Sequence, residues 1–402
     1  MAHEILEGIR VLDMTMWQLG PVNAMMLAHM GAEVIKIERP SGEDGRWVSR
    51  TGAVIKGGEG KGFSGTDLGS YYENNNRLKK DMVLDLTKPK AREILYQLTA
   101  KSDVFMQNMR FGVAVKLGAG YQDLRKYNPK IIYYNGTSFG TKGPDGTKPG
   151  MGRSGLSRTG WMYLVGNETG EPMIAAGTAS DQIGAIIGAF TIVSALFARE
   201  RFGIGQECET SHLAAMMWLQ NCQLQQMFYR MLPTQPGEEV RSRASNMLSS
   251  FYKCKDDKWM MLVSPGARTW EPVCKALGIP ESIMKDPRFA TEKGRRSHIR
   301  ETVALLDEYF IKQTRDEWIQ IFNQNPEVIW EKIQKWEDLP GDPQVIANNY
   351  MSDYTHPLTG LTYKYQNLPM QFSATPAVKF GRAPILGEHA GEILVNLLGY
   401  KK

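Results

Sequence analysis

Hydrophobic and polar positions alternate between two rhythms through the first half of this chain. Compact runs of strand length occur at Ile9–Met14 (IRVLDM), Met82–Leu86 (MVLDL), Asp103–Gln107 (DVFMQ) and Lys130–Tyr134 (KIIYY), and Glu33–Glu38 (EVIKIE) alternates as a strand does. Between them, apolar residues recur at helical spacing. One helix is predicted to open at Pro21, run through Ala24, Met25, Leu27 and Ala28, and stop at Gly31. A second covers Lys88–Lys101. A third, from Gln182 to Glu200, is strongly apolar and carries Gly184, Ala185, Gly188 and Ala189, small residues that let a neighbouring backbone come close. Strand–helix alternation predicts an α/β fold, a mostly parallel sheet covered on both faces. Ligands of such sheets bind at the carboxyl ends of the strands.

The rhythm changes after Arg230. Leu232–Ser245 is polar and Pro-bearing and reads as a linker. Ser249–Lys253 and Trp259–Val263 flank CKDDK, a hairpin signal. Helices are predicted at Arg268–Leu277, His298–Gln313 and Arg315–Asn323, giving a smaller α+β domain. The tail from Pro343 carries a helix, a strand at Leu361–Tyr365 and a final helix at Glu388–Leu398. The predicted division is a large domain opening with residues 1–205, a linker helix and connection at 206–245, and a small domain at 246–325. Residues 326–402 then return to complete the large domain.

Composition narrows the class. With 42% hydrophobic and 23% charged residues in 402, the chain fits an ordinary globular protein and not a disordered or collagen-like one. No uninterrupted apolar run of about 18 residues occurs, so no membrane span is expected. The N-terminus lacks the layout of a secretory signal, which predicts a cytoplasmic protein. The net charge of +5 is small and spread, which argues against nucleic acid and fits a small polyanionic ligand. Cys208, Cys222, Cys254 and Cys274 lie far apart, and the histidines are scattered without metal-ligand spacing. No metal and no tightly bound cofactor are expected.

Candidate chemistry is sparse. Gly60–Gly65 spells G-x-G-x-x-G, but no strand precedes it and no helix follows, as a dinucleotide site requires. It lies in a Gly-rich loop, Thr51–Gly69. Gly136–Gly140 spells G-x-S-x-G, but Gly143-Pro144 follows where a nucleophile elbow needs a helix, so a strand-to-loop turn is predicted. Asp181 stands before the long apolar helix. It reads first as a cap for that helix, and compatibly with that as a weakly hydrated carboxylate nucleophile held by the helix N-terminus. Arg39 follows a strand, Lys116 sits in FGVAVKLG, and Gln18 lies in the first strand-to-helix turn; each is a surface or turn residue or a ligand contact.

Several segments together resemble the class III CoA-transferase (CaiB/BaiF) family, which includes formyl-CoA and carnitine CoA-transferases. They are LEGIRVLDMT, QLGP, LAHMGAEVIKIERP, MVLDLTKPKAREIL, the Asn108–Gly118 stretch, SFGTKGPD, the Asp181 helix with LFARERFGIGQ, and GRAPILGEHAGEIL. The resemblance implies a Rossmann-like large domain built from both chain ends, a small domain from the middle, and an interlocked homodimer or a heteromer with a homologous subunit. It implies CoA transfer from an acyl-CoA donor to a carboxylic acid. Asp181 stands in the place of the family's nucleophile, which forms aspartyl anhydride and aspartyl-CoA thioester intermediates. The resemblance also assigns coenzyme A contacts to Gln18, Leu19, Arg39, Leu84, Lys88, Asn108, Met109, Lys116 and Leu117.

This chain departs from some relatives. Ser264-Pro265-Gly266-Ala267 stands where they carry a glycine-only loop, and nothing acidic occurs at Met151-Gly152 where formyl-CoA transferases have a second acid. A formyl/oxalate pair is therefore not expected. Trp47 falls near a substrate-facing tryptophan of those enzymes. Met216, Met217, Trp218 and Met227 form an apolar helix stretch that reads as core or as a surface for a bulky or aromatic acceptor acid. Two rival functions remain: an acyl-CoA racemase of the same family, disfavoured because no histidine lies between His29 and His212, and a non-catalytic CoA-binding subunit.

Overall fold

A computed structural model of the chain describes residues 3–47, 69–167, 169–174, 178–230, 246–263, 267–377 and 380–401. The Gly60–Gly65 motif, the predicted linker 232–245, residues 264–266 of the Ser264–Ala267 stretch and the side chain of Trp47 lie outside the described residues. The chain divides into two compact units: Met1–Trp161 with Ala176–Tyr229 and Asn348–Lys402, and Met162–Ala175 with Arg230–Ala347.

The first unit is built on a six-stranded sheet of β1 (Arg10–Met14), β2 (Glu33–Glu38), β3 (Lys80–Val83), β4 (Val104–Gln107), β5 (Ile132–Thr137) and β6 (Gln206–Ser211). Every pairing is parallel, and the order is β3-β2-β1-β4-β5-β6. This is the doubly wound Rossmann order, whose direction reverses between β1 and β4. Parallel strands are covered on both faces, which is why they read as apolar runs. Val11, Val104 and Ile132 pack under the Leu19–His29 and Ala179–Phe202 helices. Their neighbours Leu12, Phe105 and Tyr133 face the other way, onto the Pro89–Ala100 helix and Ile393.

The small residues of the long helix do what their size predicts. A Cβ on Gly184 would stand 2.6 Å from Leu19 Cδ1, and one on Gly188 would stand 2.4 Å from Asn23 Nδ2. Among the described residues this helix is long and apolar enough to cross a membrane, contrary to the expectation from uninterrupted runs. It packs against β5, β6 and the Leu19–His29 helix, the placement of a core helix.

Some boundaries move. The first helix opens at Leu19, two residues before Pro21, because Trp17 in the left-handed region (φ 69°) already turns the chain. Proline is tolerated there since first-turn amides have no helical acceptor. The third strand is Lys80–Val83, so Leu84 and Leu86 are buried in the loop beyond it. The long helix starts at Ala179 with Thr178 at its cap, so Asp181 lies inside the first turn and is not the cap. The C-terminal helix is short, Ala390–Glu392, and continues as a π-helical turn over Ile393–Leu397.

A buried ionic network underlies β1–β3. Lys79 Nζ donates to Asp13 Oδ2 (2.7 Å), Asn76 Oδ1 (2.8 Å) and Pro21 O (2.9 Å). Lys36 Nζ donates to Thr15 O and Glu43 Oε2. Arg46 pairs with Glu38, stacks 3.8 Å over Tyr72 and donates to Pro384 O. Burial and the neighbouring Glu38 push the Asp81 carboxyl up to about 8, so at neutral pH it holds a proton for Glu38 while accepting from Gly387 N–H. The network thereby fastens residues 384–387 to the sheet.

In the second unit β7 (Phe251–Lys253), β8 (Trp259–Leu262) and β9 (Trp330–Ile333) form an antiparallel sheet over stacked Tyr252, Phe310, Trp318 and Phe322. The hairpin CKDDK is there, and β9 was not expected. Back in the first unit, β10 (Met351–Thr355) pairs antiparallel with β11 (Thr362–Gln366).

Candidate active site

A cavity of about 770 Å³ opens at the carboxyl ends of β1, β4, β5 and β6. Trp17 and Leu19 follow β1, Asn108, Met109 and Arg110 follow β4, Ser138 and Phe139 follow β5, and His212 follows β6. Topology accounts for its place: where strand order reverses, the connecting loops diverge and leave a crevice. Two features stiffen its floor. The Asn108 side chain bonds Met16 both ways, accepting from its N–H (2.8 Å) and donating to its carbonyl (2.7 Å). Trp17, a bulky residue at positive φ, is held by Asn75 Nδ2 donating to its carbonyl (3.3 Å). Strain of that kind persists only where the surroundings over-determine it.

Asp181 lines this cavity from the first turn of the Ala179–Phe202 helix, with its side chain 16% exposed. The amide end of that helix favours negative charge. One carboxylate oxygen, Oδ1, lies 3.9 Å from His212 Nε2. The other, Oδ2, lies so close to Gly152 that a Cβ there would stand 2.1 Å from it. His212 opens the His212–Leu219 helix directly after β6. Its Nδ1 lies 3.0 Å from Ser180 Oγ and 3.4 Å from the Ser180 carbonyl. Burial lowers the proton affinity of the ring below the ordinary histidine range, although Asp181 opposes this, so the ring is neutral at pH 7.

Cys208 also lines the cavity, but burial pushes its thiol up to about 12, so it offers no thiolate. Arg110, Lys142, Lys148 and Arg153 supply positive charge to the walls, and Trp17, Tyr71, Phe111, Tyr121, Tyr133 and Phe139 supply aromatic surface. Among the described residues no cluster of three or more His, Cys, Asp and Glu side chains could hold a metal ion.

Of the residues singled out from sequence, the fold brings Leu19, Asn108, Met109 and Asp181 to the cavity lining. Gln18 is buried behind it, and its Oε1 has no hydrogen-bond partner among the described residues. Arg39 is exposed, pairs with Asp44 and donates to Gly42 O (2.8 Å). Lys88 caps the Pro89–Ala100 helix, and Lys116 ends the Val113–Lys116 helix, both exposed. Leu84 and Leu117 pack with the sheet core. Met216 is core, whereas Met217 and Trp218 are exposed; neither they nor Met227 line the cavity. Gly136–Gly140 is the expected strand-to-loop turn. Sequence reasoning gave no site role to His212, Trp17 or Gly152. The signal for His212 was its position one residue after a strand, at the end where ligands bind.

A family profile, CoA-transferase family III, matches residues 6–390. The chain is 28% identical to the (R)-2-hydroxy-4-methylpentanoate CoA-transferase of Clostridioides difficile, over 98% of this chain and 96% of that protein. It is 28% identical to the human succinyl-CoA:glutarate CoA-transferase, over 98% and 86%. A crystal structure of a CaiB/BaiF family protein from Brucella suis superposes with a TM-score of 0.83 at 25% identity, covering 98% of this chain and all of that one. The resemblance carried by GAEVIKIERP and RAPILGEH is thus a true kinship: the chain belongs to CoA-transferase family III, and it is an enzyme of that class, with acyl-CoA as its substrate.

Proposed function

We propose that this enzyme moves CoA from an acyl-CoA donor to a bulky or aromatic carboxylic acid through covalent intermediates on Asp181. The observation that carries this is the Asp181 carboxylate in a cavity wall, at a helix N-terminus. The carboxylate attacks the thioester carbonyl; the C–S bond breaks, leaving a mixed anhydride and CoA thiolate. Thiolate then attacks the aspartyl carbonyl, releases the donor acid and leaves an aspartyl-CoA thioester. The acceptor carboxylate attacks that thioester, forming a second anhydride and freeing thiolate again. Attack of thiolate on the acceptor's acyl carbon yields the new acyl-CoA and restores Asp181. Each intermediate keeps the thioester's energy in a covalent bond.

Exposed Arg39, Lys88 and Lys116 follow β2, β3 and β4, and we assign them to the CoA phosphates. Gln18, Leu19, Asn108 and Met109 serve the pantetheine side, with Leu84 and Leu117 packing beneath. The aromatic lining supports the acceptor class. Exposed Phe190, Phe197, Phe202 and Trp218 support a partner chain, which we take to be a second copy. Racemisation needs an acid and a base on opposite sides of a carbon, whereas His212 and Asp181 lie 3.9 Å apart, too close to flank one.

The test offers labelled acids, aromatic and small, with acetyl-CoA, succinyl-CoA and 3-phenylpropanoyl-CoA. Label should enter acyl-CoA with the aromatic acids and be lost in Asp181→Ala. Turnover with formate, oxalate or acetate alone would refute the acceptor class.

A further inference from the structure

We propose that His212 is the positioning residue for the Asp181 carboxylate: the ring steers one oxygen through Nε2 while Gly152 confines the other, and Ser180 sets the tautomer. This rests on Asp181 being the nucleophile.

A neutral imidazole carries one N–H and one lone pair. In the proposed arrangement Ser180 Oγ, 3.0 Å from Nδ1 and nearer to it than the Ser180 carbonyl at 3.4 Å, donates its proton there. That leaves the hydrogen on Nε2, the nitrogen facing Asp181 Oδ1 across 3.9 Å. This span is longer than a hydrogen bond, so the N–H acts as an oriented dipole that closes in when acyl-CoA expels water from the cavity. Ring and carboxylate are both nearly buried, at 9% and 16% side-chain exposure.

The environment suits that role. The Ala179–Phe202 helix faces the ring with Ser180 and Asp181, and the Gly152–Arg158 helix presents Gly155, whose Cβ would stand 2.9 Å from the His212 Cβ. Arg153, Glu207 and Glu209 are the other charged residues of those helices and of β6 on the same cavity wall. Burial keeps the ring neutral. A neutral donor orients the carboxylate without pairing with its charge; an imidazolium would pair with it and blunt its attack. Acidification through the ring's titration, below the usual histidine value, should therefore slow the enzyme.

The experiment uses the full chain and the donor–acceptor pair that turns over best in the assay above. His212→Leu should lower kcat by about tenfold or more, with KM nearly unchanged. His212→Gln, whose amide N–H can reach the place of Nε2, should recover most of that loss. Both variants should lack the acidic fall in kcat that the unaltered enzyme shows. Unchanged kcat and pH profile in His212→Leu would overturn the proposal. So would an equal loss in both variants with the profile retained, since packing alone would then explain it. Asp181→Ala run alongside separates the two levels. Full activity there sinks the nucleophile itself, whereas its loss beside an unaffected His212→Leu sinks only the positioning role.

Discussion

Two parts of one sheet bury charge to opposite ends. Under β1–β3, Lys79 meets three acceptors within 2.9 Å and Arg46 is bracketed by Glu38, Tyr72 and Asp81. At the far ends of β5 and β6, Asp181 faces a cavity, with a neutral imidazole 3.9 Å away. A buried charge held by many short bonds is spent on architecture, because moving it would strand its partners. The Asp181 carboxylate is instead set between a glycine backbone and a neutral ring on a cavity wall, where a bound molecule can reach it. The same residue type, aspartate, is a rivet at Asp13 and, in the chemistry proposed above, a reagent at Asp181.

That contrast can be broken from either side. The largest effect should come from Asp181→Ala, lowering CoA transfer by about a thousandfold or more while Tm stays put. Lys79→Met should do the reverse. It strands Asp13 in the interior and should cost about 3–5 kcal/mol in denaturant unfolding, with activity per folded molecule retained. Gly152→Ala sharpens the comparison, since its new methyl falls on Asp181 Oδ2 and must push the carboxylate aside. Its kcat should fall by about a hundredfold with little change in Tm, as displacement of a reacting group by an ångström does.

Asp81→Asn is the mildest. A carboxyl raised to about 8 stabilises the fold fully below its unfolded value, and that contribution is lost as pH rises through 8. The unaltered protein should lose stability across that window, from the unfolded carboxyl value up to the raised one. The asparagine variant should show a flatter Tm–pH curve.

The parallel sheet was legible because β1, β4 and β5, buried on both faces, spell mostly apolar runs, while β2 alternates apolar residues with charges. The two strands that were not expected, Trp330–Ile333 and Met351–Thr355, are half-exposed and mix polar with aromatic residues, so no run marks them. Strand β3 was displaced toward Leu86 because Leu84 and Leu86 are as buried as a strand, though they belong to the loop after it. In the site, Asp181 stood out through its small, apolar neighbours and through kinship. His212 did not, because scattered histidines were weighed by spacing along the chain, whereas a parallel sheet joins distant residues at one end of its strands. Gly152 was noticed only for lacking a carboxylate. The structure gives the physical reason for the absence: Asp181 already occupies the space a side chain there would need.

The proposed chemistry passes through a covalent bond to Asp181. Incubating the enzyme with acyl-CoA, quenching with hydroxylamine and mapping the peptides by mass spectrometry reads that bond directly. A hydroxamate confined to Asp181, and missing without acyl-CoA, is the predicted result. Steady turnover with no modified Asp181, or with the adduct on another side chain, would contradict it.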